Sequence, residues 1–434
     1  MFRRPAPISL ALVTALSLAL VACGDDDDGG EAADTTTAAT SGTTAAPDTT
    51  ASAETTAAPD TTAAPETTAV ELTGDPVKIM VLYEGSGAVA TPEVPEGAIA
   101  AAEALNAAGG IDGSPVEILQ CDLANDPNQA RACGEQAVSE GVVAAVGPVS
   151  ANAGEYFPVL EAAQIPVVGN VPAAAADFTS AASYPLYGGI VSASAGLADV
   201  LVSQGGATTI SLARIELAAA AAIGIFANQS LARGGMAVNK DVSIPVGAPD
   251  MAPYVASVLE GGTNGVLVGL TGQDATNFIV QLRQTNPDIP ISATTTEFAA
   301  VVEALGDLSD GIYVTGFFHN ETTNPEAWET YVAAMEAAGF DELSGFRTNS
   351  YSAVQVVAEV LAGLPERTAA ALYGALPTVQ GVEVDLLPPV QFTEPKVELT
   401  PRVFNVCGLY QQLEGGEFTT LSDGFIDMFT GEPC

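Results

Sequence analysis

The chain has 434 residues, with 53 acidic side chains against 12 basic ones and a single histidine. So large an acidic excess repels phosphate backbones, and no basic patch interrupts it, which excludes nucleic acid as a natural partner. One histidine in a poor context, acids scattered along the chain, and no Gly-x-Ser-x-Gly, His-Glu-x-x-His or phosphate loop argue for a binder without enzymatic chemistry, metal or cofactor.

Arg3 and Arg4 precede an apolar run from Ile8 to Leu20. The run is too short, and too close to a small-residue site, for a transmembrane span, so residues 1–22 read as a signal peptide. It ends in Leu20-Val21-Ala22-Cys23, which resembles a bacterial lipobox. That resemblance makes Cys23 the expected lipidation site, and two or more acyl chains hold a protein on a membrane stably. The rest of the chain is then expected on the outer, extracytoplasmic face of the cytoplasmic membrane.

Asp25 to Asp28 and a Thr/Ala/Pro tract follow, with Thr-Thr-Ala-Ala-Pro at 43–47, 55–59 and 61–65. The tract carries no aromatic residue and no apolar period, so residues 23–73 are expected to form a disordered tether. A flexible coil of roughly 49 residues has an r.m.s. reach on the order of 40 Å. The fold is expected to begin near Gly74.

Cys121, Cys133, Cys407 and Cys434 are an even number outside the cytoplasm, which implies two disulfides. Three pairings are possible. We favour Cys121–Cys133, stapling a strand end to the next helix, and Cys407–Cys434, tying down the C-terminus. Chain entropy gives each roughly 3–4 kcal/mol. No histidine lies near enough to make a zinc site of them. About 360 residues remain after the tether, too many for one ordinary core and suited to two lobes.

From Val77 onward β-branched runs alternate with amphipathic Ala-rich runs. Strands are expected at Val77–Tyr83, Val116–Cys121, Val142–Val146 and Pro166–Gly169. A second series is expected at Thr208–Ala213, Val238–Ile244, Gly265–Gly269, Ile289–Ala293 and Gly311–Thr315. Helices are expected near 96–107, 127–139, 151–163, 194–204, 217–233, 251–261, 273–285 and 298–305. Such alternation predicts an α/β fold with parallel sheets covered on both faces. Helices near 325–338 and 346–362 follow, then a shorter helix and a strand-rich tail.

Between the first helix and the second strand lies Asn106-Ala-Ala-Gly-Gly-Ile-Asp-Gly113, whose glycines stop a helix and turn the chain tightly. After it come Asp126-Pro127-Asn128-Gln129-Ala130, Gly147-Pro148-Val149-Ser150, Ile165-Pro166-Val167-Val168, Ser309-Asp310-Gly311-Ile312 and Asn349-Ser350-Tyr351-Ser352-Ala353. In this order and spacing, residues from about 75 to 434 resemble the branched-chain amino-acid-binding (leucine-binding) type of periplasmic solute-binding protein. The resemblance implies two doubly wound parallel-sheet lobes joined by a three-segment hinge, the type I architecture. Crossings near 190, 318 and 378 divide the chain into 74–190 with 319–378 and 191–318 with 379–434. It also implies a monomer that holds a small-molecule solute in the interlobe cleft and delivers it to an ABC transporter permease. A ligand-sensing lipoprotein that reports to a signalling partner is the other reading.

The family places the ligand carboxylate where a strand hands over to a helix N-terminus, a ready anion site. Here that place is Ser150, with Ala151 where a second serine is common and Asn152 able to donate instead. In the loop after the fourth strand, Ala173 stands at the hydroxyl position and Asn170 is the polar residue left. In the second lobe, Ala219 stands near an aromatic position and Thr271 where a tyrosine can contact ligand. Thr294, Thr295 and Thr296 occupy the corner of the acid that pairs with an α-ammonium; Glu297 is two or three residues out of register. Ser86, beside Gly87, matches the cleft-rim loop, and Tyr351 lines the cleft or packs between helices. His319 reads as a surface or hinge residue and Trp328 as core. A buried ammonium without an anionic partner costs several kcal/mol. The expected solute is therefore neutral or carboxylate-bearing with substantial apolar surface, ahead of a free amino acid.

Overall fold

Apolar runs such as Ile79–Leu82 are buried on both sides, and in the computed structural model they lie in the inner strands of two parallel sheets. The structure describes residues 72–87, 90–217, 219–294 and 298–434, without the side chains of 298–300. The expected signal peptide, Cys23, the tether up to residue 71, Thr295, Thr296 and Glu297 lie outside the described residues.

The first sheet arises from β1 (Val77–Tyr83), α1 (Val94–Ala107), β2 (Val116–Asp122), α2 (Pro127–Glu140) and β3 (Ala144–Val146). It continues through α3 (Ala153–Ala162), β4 (Val167–Val168), α4 (Ala175–Thr179) and β5 (Ser183–Tyr184). Its strands run parallel in the order β2-β1-β3-β4-β5. The second series is α5 (Ile190–Ser203), β6 (Ile210–Ile215), α6 (Ala221–Leu231), β7 (Asp241–Ile244) and α7 (Ala252–Val258). Then come β8 (Gly265–Gly269), α8 (Gly272–Thr285), β9 (Ile291–Ala293), α9 (Phe298–Leu305) and β10 (Tyr313–Gly316). These strands are also parallel, in the order β7-β6-β8-β9-β10. The second order repeats the first, strand for strand.

The chain then returns to the first sheet as α10 (Pro325–Ala337), α11 (Gly345–Ala362) and α12 (Ala369–Ala375). It re-enters the second sheet as β11 (Cys407–Glu414), antiparallel to β10, followed by β12 (Glu417–Thr420) and β13 (Ile426–Asp427), each antiparallel to β11.

Both faces of the first sheet are dry, as crossover helices require. Ile79 and Val81 point into a cluster with α1 and α11, while Met80 and Leu82 point into another with Tyr156, Phe157 and Leu160 of α3. Leu386, Leu387, Phe392 and Phe404, from the segment between α12 and β11, join the first of these clusters. In the second sheet Ala213, Val266 and Val268 face one cluster and Leu212 and Leu267 the other.

Local chemistry fixes the elements. Asp126 caps α2 by accepting from Asn128 N and Gln129 N, Pro127 opens the helix, and Gly141 ends it at φ 67°. α1 and α11 pack backbone to backbone because residue 97 is glycine: a Cβ there would lie 2.0 Å from the Arg347 carbonyl oxygen. The pair is tied further by Arg347 to Glu96 at 2.7 Å and by Ser350 Oγ donating to Val94 O at 2.7 Å. The 106–113 corner sits at the amino end of β2, where Asn106 exchanges two hydrogen bonds with the Val116 backbone. That end of the sheet is opposite the loops that leave the strands' carboxyl ends.

Three passages join the sheets. In the first, Tyr187 stacks on Phe317 of the second at 4.7 Å and meets Phe318 edge-on at 5.6 Å. His319 N donates to Leu386 O of the third at 2.8 Å. Disulfides join Cys121 to Cys133 and Cys407 to Cys434. Arg402 seals the open edge of the first sheet: its Nε donates to Ser183 O at 2.8 Å and its guanidinium lies over the Tyr184 ring.

Some expected boundaries move, and two short elements are new. α6 starts at Ala221 rather than 217, because Glu216 N still donates to Ile244 O and prolongs strand pairing. β7 starts at Asp241 rather than Val238. α4 and β5 were not expected, since two-residue strands and five-residue helices carry no readable period.

Candidate ligand-binding site

In an open sheet of this order the connections from the first and third strands leave toward opposite faces, so the loops at their carboxyl ends splay and open a crevice. The crevices lie between β1 and β3 in the first lobe and between β6 and β8 in the second. The loops that follow those strands, and their neighbours β4 and β9, hold nearly every candidate residue. Ser86, Ser150, Ala151, Asn152, Asn170 and Ala173 gather on the carboxyl edge of the first sheet. Ala219, Thr271 and Thr294 gather on that of the second.

At the first crevice stands a residue the sequence reading passed over. Glu84 follows β1 directly and is 2% exposed. Its Oε1 accepts from the Ser150 hydroxyl at 2.5 Å and its Oε2 from Asn125 N at 2.5 Å. Its own carbonyl accepts from Thr91 N at 2.7 Å. One carboxyl group thereby binds the loops after β1, β2 and β3 together. Ser150 is equally buried and accepts from Asn152 N at 3.0 Å, so its one proton and a lone pair are both used inside the lobe. The visible sign was an acid placed immediately after a largely apolar strand.

Asn170 is wholly buried. Its amide donates to Asp177 Oδ1 at 2.9 Å and to Ser183 Oγ at 3.0 Å, so the side chain braces its own loop instead of facing outward. Asp177 also accepts from Ala173 N at 3.2 Å and Ala174 N at 2.8 Å. Burial pushes its carboxyl up to about 6, against the downward pull of those three hydrogen bonds. Asn349 of α11 reaches the same loop from behind, donating to Gly169 O at 2.6 Å. The Tyr156 hydroxyl, buried near both acids, has its pKa raised by burial first and by Asp177 and Glu84 next.

Tyr351 lies apart from these loops. It is 2% exposed and packs edge-on against Tyr331 at 5.0 Å, and burial raises its phenol to about 12. It is a core residue of α11. Ser86, Ala151 and Ala173 are exposed and Asn152 is half-buried. In the second lobe Glu216, Leu217, Ala219 and Thr271 are all exposed, and the Thr271 side chain makes no capping bond to α8. Thr294 is buried, its N donating to Val268 O at 3.2 Å.

The family model for periplasmic binding proteins matches residues 76–404. No curated protein sequence matches the chain. Among solved structures, an ABC transporter substrate-binding protein from Sphaerobacter thermophilus is 20% identical, with 82% of this chain and 100% of that one covered at a TM-score of 0.67. The branched-chain amino acid transporter substrate binding protein of Streptococcus pneumoniae, in complex with isoleucine, is 17% identical over 80% of this chain and 99% of that one, TM-score 0.65. An ABC transporter solute binding protein from R. palustris, in complex with 4-hydroxybenzoate, is 16% identical over 83% and 98%, TM-score 0.65. With a family match across most of its length and two lobes of one repeated strand order, this chain belongs to the periplasmic binding protein family and has its type I fold.

Proposed function

We propose that this protein is an extracytoplasmic solute-binding protein, anchored by lipid at Cys23, that captures a small solute between its lobes and delivers it to an ABC permease. The observation that carries the reading is the pair of crevices: two sheets of identical order, each with its contact loops on the carboxyl edge. The lobes are 74–190 with 319–378 and 191–318 with 379–434, and Leu386, Phe392 and Phe404 lend core to the first. Closure turns on the three passages, joined by the Tyr187–Phe317 stack and the His319–Leu386 hydrogen bond.

The walls of the cleft are Ser86, Ala151, Asn152 and Ala173 on one side and Ala219, Thr271 and Thr294 on the other. Ser150, Asn170 and Tyr351 stand behind them. Such walls offer methyl groups, hydroxyls and amides. They suit a neutral or carboxylate-bearing solute with substantial apolar surface better than a free α-amino acid. The fold itself does not dictate the solute, since the similar solved structures hold an amino acid in one case and an aromatic acid in another.

Native mass spectrometry of freshly purified protein tests the reading: a single small-molecule adduct is expected. Isothermal titration with leucine, isoleucine and valine is expected to show no binding at micromolar affinity; binding that tight would overturn the solute class. Labelled palmitate is expected in the wild-type protein and not in Cys23→Ala.

A further inference from the structure

The start of a helix beside a strand end attracts anions, because its first N–H groups and its dipole both present positive charge. In the first lobe that place is the turn before α3, where the Ser150 hydroxyl is already committed to another group of the protein. The Glu84 carboxyl group spans the β1–β3 crevice and takes the Ser150 hydroxyl proton at 2.5 Å and the Asn125 N–H at 2.5 Å. No ion pair among the described residues involves Glu84 or Asp177. Two buried acids without a cation therefore lie behind the first lobe's contact loops.

We propose that Glu84 is a specificity-determining residue: it holds the Ser150 hydroxyl that the anion position of the first lobe would offer, so the solute places a hydrogen-bond donor there, such as an amide or a hydroxyl, and not a carboxylate. The inference rests on the solute-binding reading above and narrows its choice between neutral and acidic solutes. A ligand carboxylate would need the Ser150 proton, which leaves Glu84 Oε1 buried without its donor, a costly exchange. It would also bring a second negative charge next to the first in a poorly solvated corner.

The test compares benzoate with benzamide, and isoleucine with isoleucinamide, by calorimetric titration of the mature wild-type protein and of Glu84→Gln. In the wild type the amide is expected to bind about tenfold more tightly than its acid, and Glu84→Gln is expected to shift that ratio about tenfold toward the acid. A wild-type preference for the acid, or a ratio unmoved by the substitution, overturns the proposal. Formate supplies a readout that needs no larger ligand. In about 100 mM formate against equal chloride, Glu84→Gln is expected to melt higher and the wild type is not. Equal responses overturn the proposal. Ser150→Ala keeps the Glu84 charge and is expected to gain nothing from formate; a gain would assign the preference to the hydroxyl and sink the role of Glu84, even if Glu84→Gln does not fold. A co-purified solute with unmoved ratios defeats the Glu84 assignment alone. An empty protein whose Glu84→Gln variant responds to formate defeats the solute-binding reading alone.

Discussion

At the β1–β3 crevice the polar groups are buried and bonded to one another, whereas at the β6–β8 crevice they stand in solvent. The same strand order produces both edges. On the first, Glu84, Ser150, Asn170, Asp177 and Asn349 form hydrogen bonds that cross from loop to loop and from α11 to the sheet. On the second, Glu216, Leu217, Ala219 and Thr271 are exposed. Loops cross-linked by buried polar bonds open only at high free-energy cost, while exposed loops move within the low-stability end of the fold. The first edge is thus the more tightly cross-linked of the two.

Substitutions at matched positions break or sharpen this contrast. Glu84→Ala leaves the buried Ser150 hydroxyl without its acceptor and removes that of the Asn125 N–H, and is expected to cost about 2 kcal/mol in urea unfolding. Leu217→Ala, at the corresponding edge of the second lobe and 53% exposed, is expected to stay within about 0.5 kcal/mol. Equal losses would erase the difference between the lobes.

Asp177 gives a pH test that the second edge lacks. Its folded pKa of about 6 lies above the ordinary 3.8, so the fold holds the proton more tightly than the unfolded chain does. The stability it contributes is fully present below pH 3.8 and is lost as pH rises through 6. Relative to Asp177→Asn, the wild type is expected to lose on the order of 3 kcal/mol between pH 4 and 7. A difference between the two proteins that stays constant over that range contradicts the burial of this acid.

Arg402→Ala removes the guanidinium from the Ser183 carbonyl and from the Tyr184 and Phe404 rings. A loss of about 1–2 kcal/mol is expected, with earlier proteolysis near β5. Thr271→Ala is expected to change stability least, by under about 0.5 kcal/mol, while weakening binding of the co-purified solute several-fold. A large stability loss there would mean that the second edge is as tightly built as the first.

What the sequence made legible follows from how far each signal reaches. Strands β1 and β8 were readable because their apolar runs are continuous and bounded by turns. Cys121–Cys133 spans a single strand–helix step, which favours it among the three possible pairings. The loops that carry the candidate residues each follow a readable strand. The direction of their side chains was not readable. Asn170 turns inward because Asp177 and Ser183 wait there, and Glu84 finds its partners 41 and 66 residues away. Such bonds depend on tertiary approach and leave no local pattern.

The first lobe is finished by the last-made part of the chain. Its five strands leave the ribosome early, yet Asn349 secures Gly169, Ser350 secures Val94, and Arg402 covers Ser183 only once residues far downstream have emerged. A nascent first lobe therefore has part of one sheet face and one sheet edge uncovered until those residues have been made. The connectivity ties completion of the first lobe to residues at the far end of the chain.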